Sequence, residues 1–334
     1  MYQDRRVAVV VPCYNVGDRL TGVLDALPRF VDVVVVVDDG SAEPVTVPPR
    51  RLGPRIVTLR HDVNRGLARA METGLRAALD LGADIVVKID GDGQMDPAQM
   101  ERLIAPIAAG QADLAKGNRF LRRSHLAGMP LARLAGNLAL SFLSKLASGY
   151  WNVFDPTNGY VAVRRQVLEE IDLSRLGPGY FFEISLLCQA FLAGAVVRDV
   201  PMPARYNGEK SSLSLRRTAL VFPFLLVRAY VRRMALQHFV RDFTPVALFL
   251  LAGASMLGAG LVYGTRTWLH SASLHQQTPT GTIVVVAMLV LAGFHLLVQA
   301  LVMDIASVPT RSPWAPLEAA NAADRDSRQT VAAR

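Results

Sequence analysis

A chain of 334 residues has room for about two domains, and 51% hydrophobic residues with a mean hydropathy of +0.27 exclude a disordered polymer. Its 25 Gly and 19 Pro exclude a collagen-like or low-complexity chain, and the two cysteines, Cys13 and Cys188, make no disulfide framework and point to a reducing compartment. The net charge of +8, from 36 basic and 28 acidic residues, suits a membrane surface, an anionic substrate or a nucleic acid and alone chooses none of them.

Arg5 and Arg6 precede an apolar run that ends by Pro12 without a cleavage-like site, so no signal peptide is expected. In chain order the patterning predicts a strand at Val7–Val11, a helix at Gly17–Leu27, and strands at Val31–Val37 and Ile56–Leu59. A helix over Asn64–Leu81, with Leu67, Met71, Leu75 and Leu79 on one face, precedes a strand at Asp84–Ile89. This alternation predicts an α/β fold over residues 1–214, with a mostly parallel sheet covered by helices on both faces. Residues 215–242 mix Arg with Phe, Leu and Val and read as interfacial amphipathic helices. Residues 243–304 contain two apolar runs, Phe243–Thr265 and Thr282–Met303, each of the ~20 residues a membrane-spanning helix needs. Arg266 is the only charged residue between Asp242 and Asp304, whereas Arg residues flank both outer ends, so the positive-inside rule places both ends in the cytoplasm. The tail at 305–334 reads as disordered. The run Gly253–Gly260 (GASMLGAG) has the small residues that pack helices, within the chain or in a homo-oligomer.

Three predicted strand ends carry polar motifs. The strongest is IVVKIDGDGQMDP at 85–97, where a buried strand runs into Asp90-Gly91-Asp92. Two carboxylates one residue apart can face one cation, Gln94 can add a neutral oxygen, and oxygen ligands suit Mg²⁺ or Mn²⁺. The strand VVVVVDDGS at 33–41 ends in Asp38-Asp39, and a carboxylate there can accept from a ribose or a base; VVVPCYN at 9–15 ends in Pro12, Tyr14 and Asn15, which can wall a base pocket. Any of these is also an ordinary polar turn. The histidines show no metal-ligand spacing, and Cys13 and Cys188 read as packing residues.

The succession VVVPCYN, VVVVVDDGS, NRGLARAMETGL, KIDGDGQMDP and GNRF resembles glycosyltransferase family 2, with its GT-A fold, over roughly residues 5–215. Within that family the chain is similar to the polyprenyl-phosphate glycosyltransferases, including membrane-anchored members with a C-terminal hairpin. The resemblance implies that Pro12, Tyr14 and Asp39 contact the nucleotide, and that Asp90, Asp92 and Gln94 hold the metal on the diphosphate. It implies that Arg119 and Arg133 bind the lipid phosphate and that Arg205, Lys210 and Ser211 approach the phosphates from the other side. The family usually has Glu after the Asn of its first motif; this chain has Val16-Gly17-Asp18. The Q-x-x-R-W motif of processive synthases is absent.

The implied reaction is inverting transfer of one hexose from a nucleotide sugar, GDP-mannose or a UDP-hexose, to a polyprenyl phosphate at the cytoplasmic face of the inner membrane. The residues agree with it. A phosphate monoester is mostly a dianion at pH 7 and needs cationic positioning more than a general base. Arg119, Arg122, Arg123 and Arg133 offer bidentate phosphate donors amid apolar segments. Asp155, in NVFDPTNGY, either orients the acceptor or caps its turn, and Glu183 either binds sugar hydroxyls or occupies a helix's first turn. A glycolipid or glycan hydroxyl acceptor, which would need a general base, and an inactive membrane scaffold stay open as alternatives. Nucleic acid is not expected, since many of the basic residues flank the hairpin.

Overall fold

The computed structural model describes residues 1–17, 19–47, 53–120, 131–203 and 215–315, except for the side chains of 131–135, 137, 180 and 215–220. Strands β1 (Val7–Cys13) and β2 (Val33–Asp38) flank helix α1 (Arg19–Asp25) and are followed by β3 (Arg55–Arg60), α2 (Leu67–Asp80), β4 (Ile85–Lys88) and α3 (Met100–Ala108). Then come β5 (Leu114–Asn118), α4 (Leu131–Ser148), β6 (Val161–Arg164), α5 (Arg165–Glu170), α6 (Phe182–Leu192) and β7 (Val197–Pro201). Long helices close the chain: α7 (Leu215–Ala235), α8 (Pro245–Ser273) and α9 (Thr280–Ala306).

Among the described residues one seven-stranded sheet has the order β3-β2-β1-β4-β6-β5-β7. β1, β2, β3 and β4 pair in parallel, β6 runs antiparallel to both β4 and β5, and β7 is parallel to β5. The unbroken Val runs of β1 and β2 suit central strands covered on both faces, and every residue of β2 is buried. β3, with Arg at each end and half-exposed positions between, is the edge strand. Met100, Leu103, Ile104 and Ile107 of α3 join Val7, Val9, Val11, Ile85 and Val87 in the main core. This topology has one consequence for chemistry: the ends of β1, β2, β4, β5 and β7 and the start of β6 all reach the same edge of the sheet.

The chain divides into two compact units. The first is Met1–Tyr230 together with the segment from Pro309; the second is Val231–Val308. The sequence reading ended the catalytic domain at residue 214, but the division falls inside α7. Leu226 is buried with Ala147, Phe181, Ile184 and Cys188, and Phe222, Leu225 and Ala229 pack on that cluster. Those apolar residues tie the first part of α7 to α4 and α6. Interleaved with them on the same helix, Val221, Phe224 and Val227 are exposed, as are Leu138 and Phe142 of α4.

The second unit is a helical hairpin. α8, of 29 residues, and α9, of 27, are each long and apolar enough to cross a membrane. A Cβ on Gly293 would lie 2.5 Å from the Leu257 nitrogen and 2.9 Å from the Gly253 oxygen, so the two helix backbones touch there. The small-residue run thus packs α8 against α9 of its own chain. The segment expected to be disordered from residue 305 is ordered as far as described. α9 runs to Ala306, and Ser312 Oγ donates to Asp113 Oδ1 at 2.7 Å. Buried Asp113 supplies the carboxylate that makes this return possible.

Candidate active site

The nucleotide side of the rim is built by the turns after β1 and β2. Pro12 sits opposite Val37 in the sheet, and Tyr14 beyond it is 53% exposed. Asn15 holds a left-handed φ of 52°, its side-chain oxygen accepts from Ala42 N at 3.0 Å, and its own N–H donates to Ser41 Oγ at 3.0 Å. These crosslinks shape a groove of about 540 Å³ lined by Asn15, Val16, Thr21, Ser41, Glu43 and Thr46. A second cleft, about 580 Å³ along α2, is lined by Arg65, Arg69 and Arg76, the last two paired with Glu72; it lies apart from the β4 end.

The two aspartates after β2 are turned inward. Asp38 accepts from Ser41 N at 3.0 Å, Val45 N at 3.1 Å and the Arg60 guanidinium. Burial opposes its charge, but these hydrogen bonds and Arg60 outweigh it and hold the carboxyl below its ordinary value. Asp39, expected at the nucleotide, is buried. Its Oδ1 meets His61 Nδ1 at 2.7 Å and Arg65 N at 3.0 Å, and its Oδ2 accepts from Gly66 N at 2.8 Å. The carboxylate thereby folds the Asn64–Gly66 turn. Gly40, at φ 72°, leaves room for that turn, since a Cβ would lie 2.5 Å from Asn64 N.

The end of β4 carries the acidic pair. Asp90 is 34% exposed at its side chain, and its Oδ1 accepts from Lys88 Nζ at 2.7 Å. Asp92 Oδ1 accepts from Gln94 N at 3.0 Å, and Gln94 is exposed. Gly91 packs on the rim's buried Cys13, whose thiol burial, with Asp38 and Asp90 nearby, pushes up to about 12. Among the described residues no third carboxylate, His or Cys joins the pair. The donor set is therefore two carboxylates and an amide, all oxygen. It fits a hard divalent ion of the Mg²⁺ type, which takes one or two carboxylates and completes its shell with phosphate oxygens and water.

Beneath the rim lies a layer of buried charge that the sequence reading did not identify. Lys88 Nζ also reaches the Gly159 oxygen at 3.3 Å and Glu183 Oε1 at 3.3 Å. Burial works against its charge, but Asp90 and Glu183 outweigh burial and raise Lys88 above the ordinary lysine value. Lys116, fully buried on β5, donates to the Asn158 oxygen. Burial pushes it down to about 8, with Glu183, Asp155 and Asp199 opposing. Asp199 accepts from Phe154 N and Asn118 Nδ2, yet burial raises its carboxyl. Glu183 does occupy the first turn of α6, but buried: it is 4% exposed and its Oε2 has no partner.

On the acceptor side the structure joins two of the expected residues to each other. Arg119 Nε and Nη2 fork onto Asp155 Oδ2 and Oδ1 at 2.7 and 3.0 Å, and the Arg119 N–H adds a bond at 3.2 Å. Asp155 is 1% exposed, so it faces the rim only through Arg119, whose side chain is 36% exposed. Arg133 belongs to α4, with its side chain outside the described residues; Asp18, Arg122, Arg123, Arg205, Lys210 and Ser211 also lie outside them.

Comparison with known proteins follows the same outline. Residues 8–172 match the family described as Glycosyl transferase family 2. Polyprenol monophosphomannose synthase of Mycolicibacterium smegmatis is 33% identical over 205 residues, 59% of this chain and 77% of that protein. UDP-N-acetylglucosamine–dolichyl-phosphate N-acetylglucosaminyltransferase of Methanococcus voltae is 30% identical over 182 residues, 50% of this chain and 72% of that one. Glucosyl-3-phosphoglycerate synthase of Mycobacterium tuberculosis, solved with uridine diphosphate, superposes with a TM-score of 0.50 at 22% identity, over 69% of this chain and 80% of that one. The last likeness establishes the GT-A fold.

Proposed function

We propose that this chain, which belongs to glycosyl transferase family 2, moves one hexose from a nucleotide sugar to a polyprenyl phosphate at the cytoplasmic face of a membrane. The chain is a glycosyltransferase by its family. The observation that carries the finer reading is the presence, on one rim, of the open Asp90-Gly91-Asp92 end of β4 and an Arg119 gripped at two points by buried Asp155. The two sequence relatives carry a polyprenol or dolichyl phosphate in their names and differ in the sugar. The donor in this reading is GDP-mannose or a UDP-hexose.

In this reading the nucleotide lies in the groove beside Pro12, Tyr14 and Asn15, while Asp39 acts indirectly, by holding the Asn64–Gly66 turn. Asp90, Asp92 and Gln94 hold Mg²⁺ or Mn²⁺. When bound, the ion neutralises charge on the diphosphate and so favours its departure. Arg119 and Arg133 orient the acceptor phosphate, and Arg205, Lys210 and Ser211 approach the donor phosphates. The acceptor is a dianion at pH 7, so it needs no proton removed. Its oxygen attacks the anomeric carbon from the face opposite the leaving diphosphate, forming one C–O bond as the other breaks and inverting the centre. The apolar hairpin tethers the chain to the membrane in which a water-insoluble acceptor resides.

The test is transfer by the purified full chain in detergent, given undecaprenyl phosphate, Mn²⁺ and each labelled nucleotide sugar in turn. Label should enter the organic phase from one donor, disappear with EDTA, and fall by roughly a hundredfold or more in Asp92→Asn. Transfer to a phosphate-free glycolipid, with none to the prenyl phosphate, would refute the acceptor assignment.

A further inference from the structure

The buried Lys88–Glu183 pair is not needed to make a strand or a helix, and a buried lysine is costly unless paired. Lys88 is 2% exposed, the last residue of β4, two positions before Asp90. Its ammonium meets Asp90 Oδ1 at 2.7 Å on one side and Glu183 Oε1 at 3.3 Å on the other. The approach to β6 closes over it: a Cβ on Gly159 would lie 2.6 Å from Lys88 Nζ and 3.2 Å from Asp90 Oδ2. A side chain there would push the ammonium aside, and the bare Gly159 backbone instead offers it a carbonyl at 3.3 Å. Glu183 keeps its second oxygen buried and unpartnered.

We infer that Lys88 is a positioning residue that binds one oxygen of Asp90 and leaves the other for the divalent cation, with Glu183 balancing its charge from below. This rests on the assignment of Asp90 to the metal. It has an electrostatic signature. A fixed positive charge beside the metal carboxylate opposes cation binding, and the Glu183 carboxylate offsets that opposition. Lys88→Met keeps the apolar stem and removes the opposing charge; it should bind the cation more tightly while turning over more slowly, because Asp90 is no longer held. Glu183→Gln keeps the shape and leaves Lys88 unbalanced; it should bind the cation more weakly. A role in packing alone would shift both variants in the same direction or neither.

The experiment titrates Mn²⁺ into the full chain in detergent, with UDP and GDP in parallel, and counts free Mn²⁺ by electron paramagnetic resonance. The wild type is first compared with Asp92→Asn, and nucleotide affinity without metal is the control for folding. The expected result is a Kd for Mn²⁺ lowered roughly three- to tenfold in Lys88→Met and raised by a similar factor in Glu183→Gln, with metal-free nucleotide affinity unchanged. Unchanged values in both variants, or weakening in both, beside Asp92-dependent binding in the wild type, would overturn the inference and leave the metal site standing. No saturable Asp92-dependent binding in the wild type would overturn the metal assignment, and this inference with it. If Lys88→Met does not fold, Glu183→Gln decides: a raised Kd supports the inference and an unchanged one refutes it.

Discussion

Buried lysine is the residue-scale feature that separates this rim from an ordinary sheet edge. The chain has 36 basic residues, yet its only lysines are Lys88, Lys116, Lys145 and Lys210. In so Arg-rich a chain, two lysines inside strand patterns were the available signal for the buried layer, and charge counting passed over it. The carboxylates at strand ends were legible because a polar pair closing an apolar run is a local pattern. Whether Asp39 faces the groove or its own turn depends on His61, Arg65 and Gly66, which local pattern does not place. Lys116 gives a prediction of its own. Burial holds the native Lys116 ammonium down to about 8, against the ordinary lysine value of 10.5. Between those values the unfolded state binds more protons, so this residue makes stability rise with pH, by at most about 3 kcal/mol. Denaturation of wild type and Lys116→Met in the same detergent at pH 7 to 10 should show that rise in the wild type and its loss in the variant. Parallel curves would mean that Lys116 is already neutral at pH 7 or charged throughout.

At the scale of elements, the base of the hairpin shows how an apolar unit accommodates charge. Arg233, on α7, forks onto Asp304, in the last turn of α9, at 2.7 and 2.9 Å. His238 Nε2 lies 3.3 Å from the same carboxylate, and its Nδ1 is 2.8 Å from Thr244 Oγ1. Arg233 also donates to Gln237 Oε1 at 2.9 Å, so the last turn of α7 is linked to the end of α9 through several polar bonds. The two apolar runs were readable from composition, and so was their hairpin. The clasp was not, because it joins residues 71 positions apart. The packing of α7 is not legible locally for a related reason: Phe222, Leu225 and Leu226 look alike whether they meet lipid or α6. Asp304→Asn leaves the Arg233 guanidinium buried without its counter-ion and should cost about 3–5 kcal/mol. Arg233→Met with Asp304→Leu removes both charges and should recover most of that loss. Thermal unfolding of the three proteins in one detergent reads the difference; a double variant no better than Asp304→Asn would show that the clasp is not an isolated pair.

For the whole molecule, the decisive property is that the chain leaves the catalytic unit at Tyr230 and returns to it at Pro309. A segment that leaves and re-enters one folded unit must have both its ends on that unit's side of a membrane, which permits an even number of crossings. One crossing by each of the two long apolar helices would meet that condition. The charge pattern predicts the direction: Arg228, Arg232 and Arg241 precede α8 and Arg311 follows α9, against Arg266 alone near the turn. The prediction is that residues 274–279 face away from the cytoplasm and the catalytic rim faces it. Native cysteines will not obscure the test. Cys13 and Cys188 are both buried, and the Cys13 thiol is pushed up to about 12, leaving almost no thiolate at neutral pH. A membrane-impermeant maleimide should label Gln277→Cys in intact cells and Ala315→Cys only after permeabilisation. The reverse pattern would put the rim on the outer face and remove it from cytoplasmic nucleotide sugars. Labelling of both only after permeabilisation, or of both in intact cells, would mean that α8 and α9 do not cross.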